Sequence, residues 1–169
     1  AYALHLLLAV AAALVMVQRR GRWPDRAVQS VGLAFYSMPG FWLGLMAVLL
    51  FSRQLGWFPA GGMYSADAQF MTPAQRWVDV LHHLALPVFT LAAGSFMGTA
   101  RYLRSSLEEA LGQDYILAAR SRGISERRIL THHALRNALL PMITLVGLNI
   151  PFLLGGAVVT EVVFGWPGM

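Results

Sequence analysis

Apolar residues along this chain collect into four runs, separated by segments rich in glycine and arginine. Ala1 to Val17 is apolar apart from His5 and stops at Gln18-Arg19-Arg20. Val28 to Phe51 follows, interrupted by Ser37-Met38-Pro39-Gly40, and Leu84 to Ala100 contains Pro87 and Gly94-Ser95. Ala138 to Phe164 carries Pro141, Asn149, Pro151 and Gly155-Gly156. A helix rising about 1.5 Å per residue needs such a run to cross a hydrocarbon core about 30 Å thick. The pattern therefore predicts four membrane spans, at about residues 1–17, 28–51, 84–100 and 138–164. The first is only just long enough. Its basic residues follow the apolar run instead of preceding it, which is the reverse of a secretory signal. Proline within a span is tolerated where neighbouring helices or water satisfy the freed carbonyls. Gly44, Gly94, Gly98, Gly147, Gly155 and Gly156 fit close approach of helices through small residues.

Composition agrees with the pattern. The 169 residues are 57% hydrophobic and 12% charged, with a mean hydropathy of +0.55; a soluble domain carries about 25% charge. All thirteen basic residues are arginine and the net charge is +5. The arginines flank apolar runs rather than line a polar face, so the charge does not point to nucleic acid. Cysteine is absent, which excludes disulfides, thiolate ligands and a cysteine nucleophile. Eleven arginines lie between runs one and two or between runs three and four; only Arg53 and Arg76 lie between runs two and three. That split predicts that both arginine-rich segments face the cytoplasm, with Trp57, Phe58 and Trp77 at the outer interface.

The segment from Arg101 to Asn137 is patterned beyond what a topology signal requires. Asp114 is suited to cap a helix beginning at Tyr115, because a carboxylate accepts from exposed N–H groups. No breaker interrupts Ile116 to Arg122, and Gly123 stands where a left-handed residue ends a helix. Arg120 and Arg122 in the last turn complement the helix dipole, and Ser125 can cap a second helix through Glu126, Arg127 and Arg128. The expectation is two short helices joined at a glycine. Helices this short are marginal alone, so a docking partner is expected to hold them.

These residues resemble the cytoplasmic loop of ABC-transporter permease subunits. The general pattern of that loop is Glu-Ala-Ala, three residues, Gly, nine residues, Ile-x-Leu-Pro. The chain matches it at Ala118, Ala119, Gly123 and Leu135, and departs at Leu117, His133 and Arg136. The version found in dipeptide, oligopeptide and nickel importers fits better, through Asp114-Tyr115-Ile116, Ala119-Arg120, Gly123 and His133-Ala134-Leu135-Arg136-Asn137-Ala138-Leu139-Leu140-Pro141. Further stretches similar to that family are Arg20-Gly21-x-Trp23-x-Asp25-Arg26, Pro39-x-Phe41-Trp42-Leu43-Gly44, Leu55-Gly56-Trp57-Phe58-Pro59-Ala60-Gly61 and Phe164-x-Trp166-Pro167-Gly168.

The resemblance implies an all-α polytopic bundle of the type I importer-permease kind, a single domain over 1–169. It implies six spans, four of them here, with the piece truncated at both ends. It further implies a bacterial or archaeal inner-membrane protein with no cofactor of its own. The expected partners are ATP-binding subunits, a second and different permease subunit, an outside solute-binding protein and the lipid bilayer. The loop 101–137 would couple to the ATPase. Tyr115, Ala118 and Ala119 would pack into its groove, Arg120 and Arg127 would pair with an acidic rim, and Asp114, Gly123 and Ser125 would shape the turn. Asn149 and Glu161 are the candidates for the solute path or outer gate, since a carboxylate deep in an apolar run is costly to keep. Dipeptides, longer peptides, nickel chelates, glutathione and oligosaccharides all fit such a permease.

Two other functional classes fit these residues less well. An intramembrane enzyme would need a nucleophile motif, but Gly94-Ser95-Phe96-Met97-Gly98 has the wrong spacing for one. His82-His83 and His132-His133 are adjacent pairs whose rings diverge by about 100° on a helix. A passive channel would leave the patterned loop unexplained.

Overall fold

The structure, a computed structural model, describes residues 1–154 and 158–167, with side chains described for 1–148 and 158–167. All regular structure among them is helical, so the chain is all-α. The first helix, α1, spans Tyr2–Gln18 and buries His5, Ala9, Ala12, Ala13 and Met16. Those positions recur every three to four residues, which places them on one stripe of the helix. The three alanines among them let α1 lie closely along α4 (Pro73–Leu111), where Ala9, Ala12 and Met16 share a core with Met97 and Ala100.

α4 is the spine of the molecule. Thr72 starts it with a capping box: its hydroxyl accepts from the Gln75 N–H, and the Gln75 side chain accepts in turn from the Thr72 N–H at 2.9 Å. The helix runs through Pro87 without a break and is 39 residues long, about 58 Å. That is nearly twice a hydrocarbon core, so its last turns extend beyond any bilayer that holds its apolar centre. Residues Arg101 to Leu111, expected as loop, are the end of this helix. Leu103, Leu107 and Ala110 continue its buried stripe.

The second apolar run is sharply bent. α2 (Trp23–Ser37) and α3 (Gly40–Ala47, continued by a π-helical turn Val48–Gln54) meet at 102°. Pro39 disfavours helical geometry at the residue before it, and Met38 is accordingly extended at ψ 134°. Among the described residues, α4 is the single helix long and apolar enough to cross a membrane, and α2 with α3 passes the same test as a bent pair. α2 crosses α4 at Gly32, where a Cβ would overlap the Met97 side chain, and the Tyr36 ring lies over Gly98. Gly147 has open space, and Gly155 and Gly156 lie outside the described residues.

The fourth apolar run comprises α8 (Leu140–Leu154) and α9 (Val158–Phe164). α9 packs on α3, with Gly44 against Val163 and Phe164, and Phe164 is buried with Ala47 and Leu86. At this end the Gly62 N–H donates to the Phe164 carbonyl at 2.8 Å, and a Cβ at Gly61 would stand 2.6 Å from the same oxygen. Two stretches separated by a hundred residues of sequence thus meet at the aromatic end of the bundle.

Candidate functional site

The arginine-rich end carries a compact unit of short helices. α5 spans Asp114–Ser121, α6 is the single turn Glu126–Arg128, and a π-helical turn Ile129–Ala134 leads into α7 (Leu135–Ala138). The N-cap of α5 is Gln113, extended at φ −81° and ψ 152°; Asp114 is already inside the first turn and makes no capping bond. The shift by one residue has a local cause. The Gly112 and Gln113 N–H groups donate back to Glu109 and Ala110, closing α4 and leaving Gln113 as the extended link. Asp114 still sits where the helix dipole favours negative charge.

The other end of α5 is built as expected. Gly123 has φ +74°, and its N–H donates to the Arg120 carbonyl at 2.9 Å while the Ile124 N–H donates to Ala119 at 3.2 Å. Those two bonds form a Schellman motif. Ile124 completes it by packing on the hydrophobic core. Ser125 occupies the N-cap of α6, but its side chain makes no capping bond; only its carbonyl serves, accepting from the Ile129 N–H.

The turn brings Arg120 and Glu126 together. Arg120 Nε donates to Glu126 Oε1 at 2.7 Å and the second nitrogen donates to Oε2 at 3.1 Å, a bidentate clamp across the glycine. Hydrogen bonding to Glu126, reinforced by its charge, raises the Arg120 pKa; the same bond lowers that of Glu126. Both side chains are well exposed, so the pair fixes geometry more than it adds stability. Arg120 was expected to face a partner's acidic rim, yet its charge is engaged within the chain.

Nor do the short helices wait for a partner to hold them. Ile116, Ala119, Ile129, Leu130 and Ala134 are buried in one core with Leu103, Leu107 and Ala110 of α4 and Ala13 of α1. Ala119, expected on the docking face, is therefore turned inward. The outward face of α5 presents Tyr115, Leu117 and Ala118, with Tyr115 39% and Leu117 58% exposed. Arg122, Arg127 and Arg128, which follow in the chain, are exposed and make no ion pair among the described residues. Tyr115 also borders a cleft of about 290 Å³ whose walls include Glu109, Gln113 and Asn137. An apolar ridge with a basic margin, held rigid from behind, suits insertion into an apolar groove rimmed by acids.

The pathway candidates lie elsewhere. Glu161 is in the first turn of α9, partly buried, and its carbonyl accepts from the Trp166 N–H at 2.9 Å. Leu86, which packs with α9, is about 30 Å along α4 from Leu107, which packs with α5. Asn149 belongs to α8, and its side chain falls outside the described residues.

Two polar clusters escaped the sequence reading. In one, His5 Nδ1 lies 2.8 Å from Ser95 Oγ and Nε2 lies 2.9 Å from Thr99 Oγ1, while Ser95 donates to the Leu91 carbonyl. Ser95 thus accepts from Nδ1–H; in the neutral imidazole Thr99 then donates to Nε2, and both nitrogens are satisfied. The spacing of Ser95 and Thr99, four residues apart on α4, was the available signal. The second cluster joins Asp25 to Arg104.

The family described as binding-protein-dependent transport system inner membrane component matches residues 6–169. An oligopeptide transport system permease protein, AppB of Bacillus subtilis, is 47% identical over 139 residues, covering 82% of this chain and 42% of its own length. The di/tripeptide transport system permease protein DppB of Pseudomonas aeruginosa is 41% identical over 171 residues, 94% of this chain and 51% of its own. The glutathione transport system permease protein GsiC of Escherichia coli K12 is 37% identical over 164 residues, 97% of this chain and 49% of its own. The chain spans about half the length of the curated relatives it matches.

Proposed function

Since this chain belongs to the family of binding-protein-dependent transport system inner membrane components, we propose that it is the membrane-spanning part of an ATP-driven importer of peptides or a related small solute. A separate ATPase drives it through the α5–α6 unit. One observation carries the reading: α5 is locked by a Schellman turn and the Arg120–Glu126 clamp, is seated on the core through Ile116 and Ala119, and still leaves Tyr115, Leu117 and Ala118 uncovered. A solvated loop needs no such rigidity. A surface that must transmit a push does, because a flexible element absorbs displacement instead of passing it on.

In this reading the arginine-rich end faces the cytoplasm of a bacterial or archaeal cell, following the arginine split. ATP-driven closure of two ATPase subunits displaces α5, and α4 carries the motion into the bundle. A second permease subunit completes the pathway and an outside binding protein delivers the solute. Glu161 and Asn149 belong to the part of the bundle nearer the outer gate. Relatives named for oligopeptides, di/tripeptides and glutathione support a short peptide as the solute class. Neither an intramembrane hydrolase nor a passive channel gives the uncovered ridge of α5 a task.

Site-directed cross-linking tests the docking surface. In membranes holding the full-length permease and its ATPase, Ala118→Cys with a short bifunctional reagent should form a permease–ATPase adduct, and Ala93→Cys, buried inside the bundle, should not. Equal absence of adduct from Ala118→Cys and Leu117→Cys would remove the docking role.

A further inference from the structure

Asp25 is an acid the reading above leaves unused, and it is only 3% exposed. Its carboxylate accepts from the Gly21 N–H at 2.8 Å, from Gln29 Nε2 at 2.7 Å and from two Arg104 nitrogens at 2.8 and 3.5 Å. Gly21 takes φ +73°, which sets the tight turn between α1 and α2 and aims its N–H at Asp25. On α4, Arg104 also donates to Glu108 at 3.1 Å, and Arg20 approaches the same Glu108 oxygen at 3.7 Å. One carboxylate therefore ties together the α1–α2 turn, the first turn of α2, and a point on α4 seventy-nine residues away. The Gly21 N–H, Gln29 and Arg104 together hold Asp25 below its ordinary pKa, against the opposing effect of burial.

Its position on α4 gives the cluster a use. Arg104 and Glu108 alternate with Leu103 and Leu107, which pack against Ile116 and Ile129 of the short-helix unit. One face of these two turns grips the unit that receives the push, and the neighbouring face grips the α1–α2 turn. An exposed ion pair would be too weak to act as a link. Here the Asp25 side chain is 4% exposed and that of Arg104 is 20% exposed, so separating them strands a buried charge, a far larger penalty.

We propose that Asp25, held by Arg104, is a positioning residue that makes α2 move with α4 when α5 is displaced. The inference rests on the transport reading. Arg104 is the strut, Glu108 and Arg20 orient it, and α2, which leads into the 102° bend at Met38-Pro39, is the element it moves. Without the strut, displacement of α5 would bend α4 alone and leave the α2–α3 elbow behind.

The test uses the full-length permease, reconstituted in vesicles with its ATPase subunits and binding protein and assayed for tripeptide uptake. Asp25→Asn keeps the size and removes the charge; Arg104→Gln breaks the link from the other side. In both, complex assembly and ATP hydrolysis should persist while uptake per ATP hydrolysed falls by about tenfold, the scale of coupling between linked sites. Arg104→Lys should recover part of it, and the double variant should be no worse than either single one. Spin labels at Arg26→Cys on α2 and Ser105→Cys on α4 give a second readout. Their separation should be the same with and without trapped nucleotide in the otherwise wild-type protein, and should change or broaden in Asp25→Asn. Uptake and hydrolysis falling only in step with assembled complex would make the pair a folding contact and overturn the proposal, as would unchanged uptake. Absence of ATP-driven uptake in the wild type would instead sink the transport reading, with the spin-label distances still deciding whether α2 and α4 are tied.

Discussion

Substituting Gly123 isolates a single energetic term. The residue sits at φ +74°, and a Cβ built there meets nothing within 4 Å, so a side chain causes no clash and the cost is backbone strain alone. Left-handed geometry costs an ordinary L-residue about 1–2 kcal/mol, with asparagine tolerated best. Valine adds β-branched crowding, and about 2 kcal/mol is the expectation for Gly123→Val. At about 1.4 kcal/mol per factor of ten, that raises the population with an open turn by roughly thirtyfold. The Ile124-to-Ala119 and Gly123-to-Arg120 bonds open with it, and the Arg120–Glu126 clamp loses its geometry. Hydrogen exchange on the full-length protein should show faster exchange at Ile124 and through α5, while α1 and the centre of α4 stay protected. Uptake and binding-protein-stimulated ATP hydrolysis should fall together, in the order Val, Ala, Asn. Were valine tolerated as well as asparagine in both assays, the left-handed turn would not be what holds the docking surface.

Other substitutions probe separate parts of the account. Arg120→Glu should weaken coupling, and the exchange Arg120→Glu with Glu126→Arg should restore much of it, because the clamp acts inside the chain; coupling that stays lost in the exchange would mean Arg120 meets a partner. His5→Leu strands Thr99 and leaves Ser95 one bond short, at about 1–3 kcal/mol, so the melting temperature in detergent should drop more than for His5→Gln. Asp25 has a depressed pKa, so the stability it contributes is present above its ordinary value of 3.8 and lost as pH falls below it; acid melts of wild type and Asp25→Asn should converge there and diverge at neutral pH. For topology, an impermeant thiol reagent added outside should label Ala66→Cys and leave Ser121→Cys unlabelled; reversed labelling would overturn the orientation.

The parts legible in sequence were those fixed by local chemistry. Gly123 announced its turn because few other residues sit comfortably at that φ, and Ser37-Met38-Pro39-Gly40 marked the bend because proline restricts its predecessor. The extension of α4 to Leu111 was hidden by composition. Arg101, Arg104, Glu108 and Glu109 read as a polar loop, although Leu103, Leu107 and Ala110 keep a helical stripe beneath them. Partners beyond local reach were not readable. Arg120 meets Glu126 only after the chain reverses at Gly123, and Asp25 meets Arg104 only once α2 lies against α4. The inward turn of Ala119 likewise depends on which face of α5 finds the α4 core.

Uptake itself tests the central claim most directly. The full-length permease should be placed in sealed vesicles with its second permease subunit and its ATPase, and supplied outside with binding protein and a labelled tripeptide. The account predicts accumulation against a gradient only when ATP and binding protein are both present, and its loss when α5 is disturbed by Gly123→Val. Equilibration of the peptide without ATP, or accumulation indifferent to the α5 variant, would contradict it.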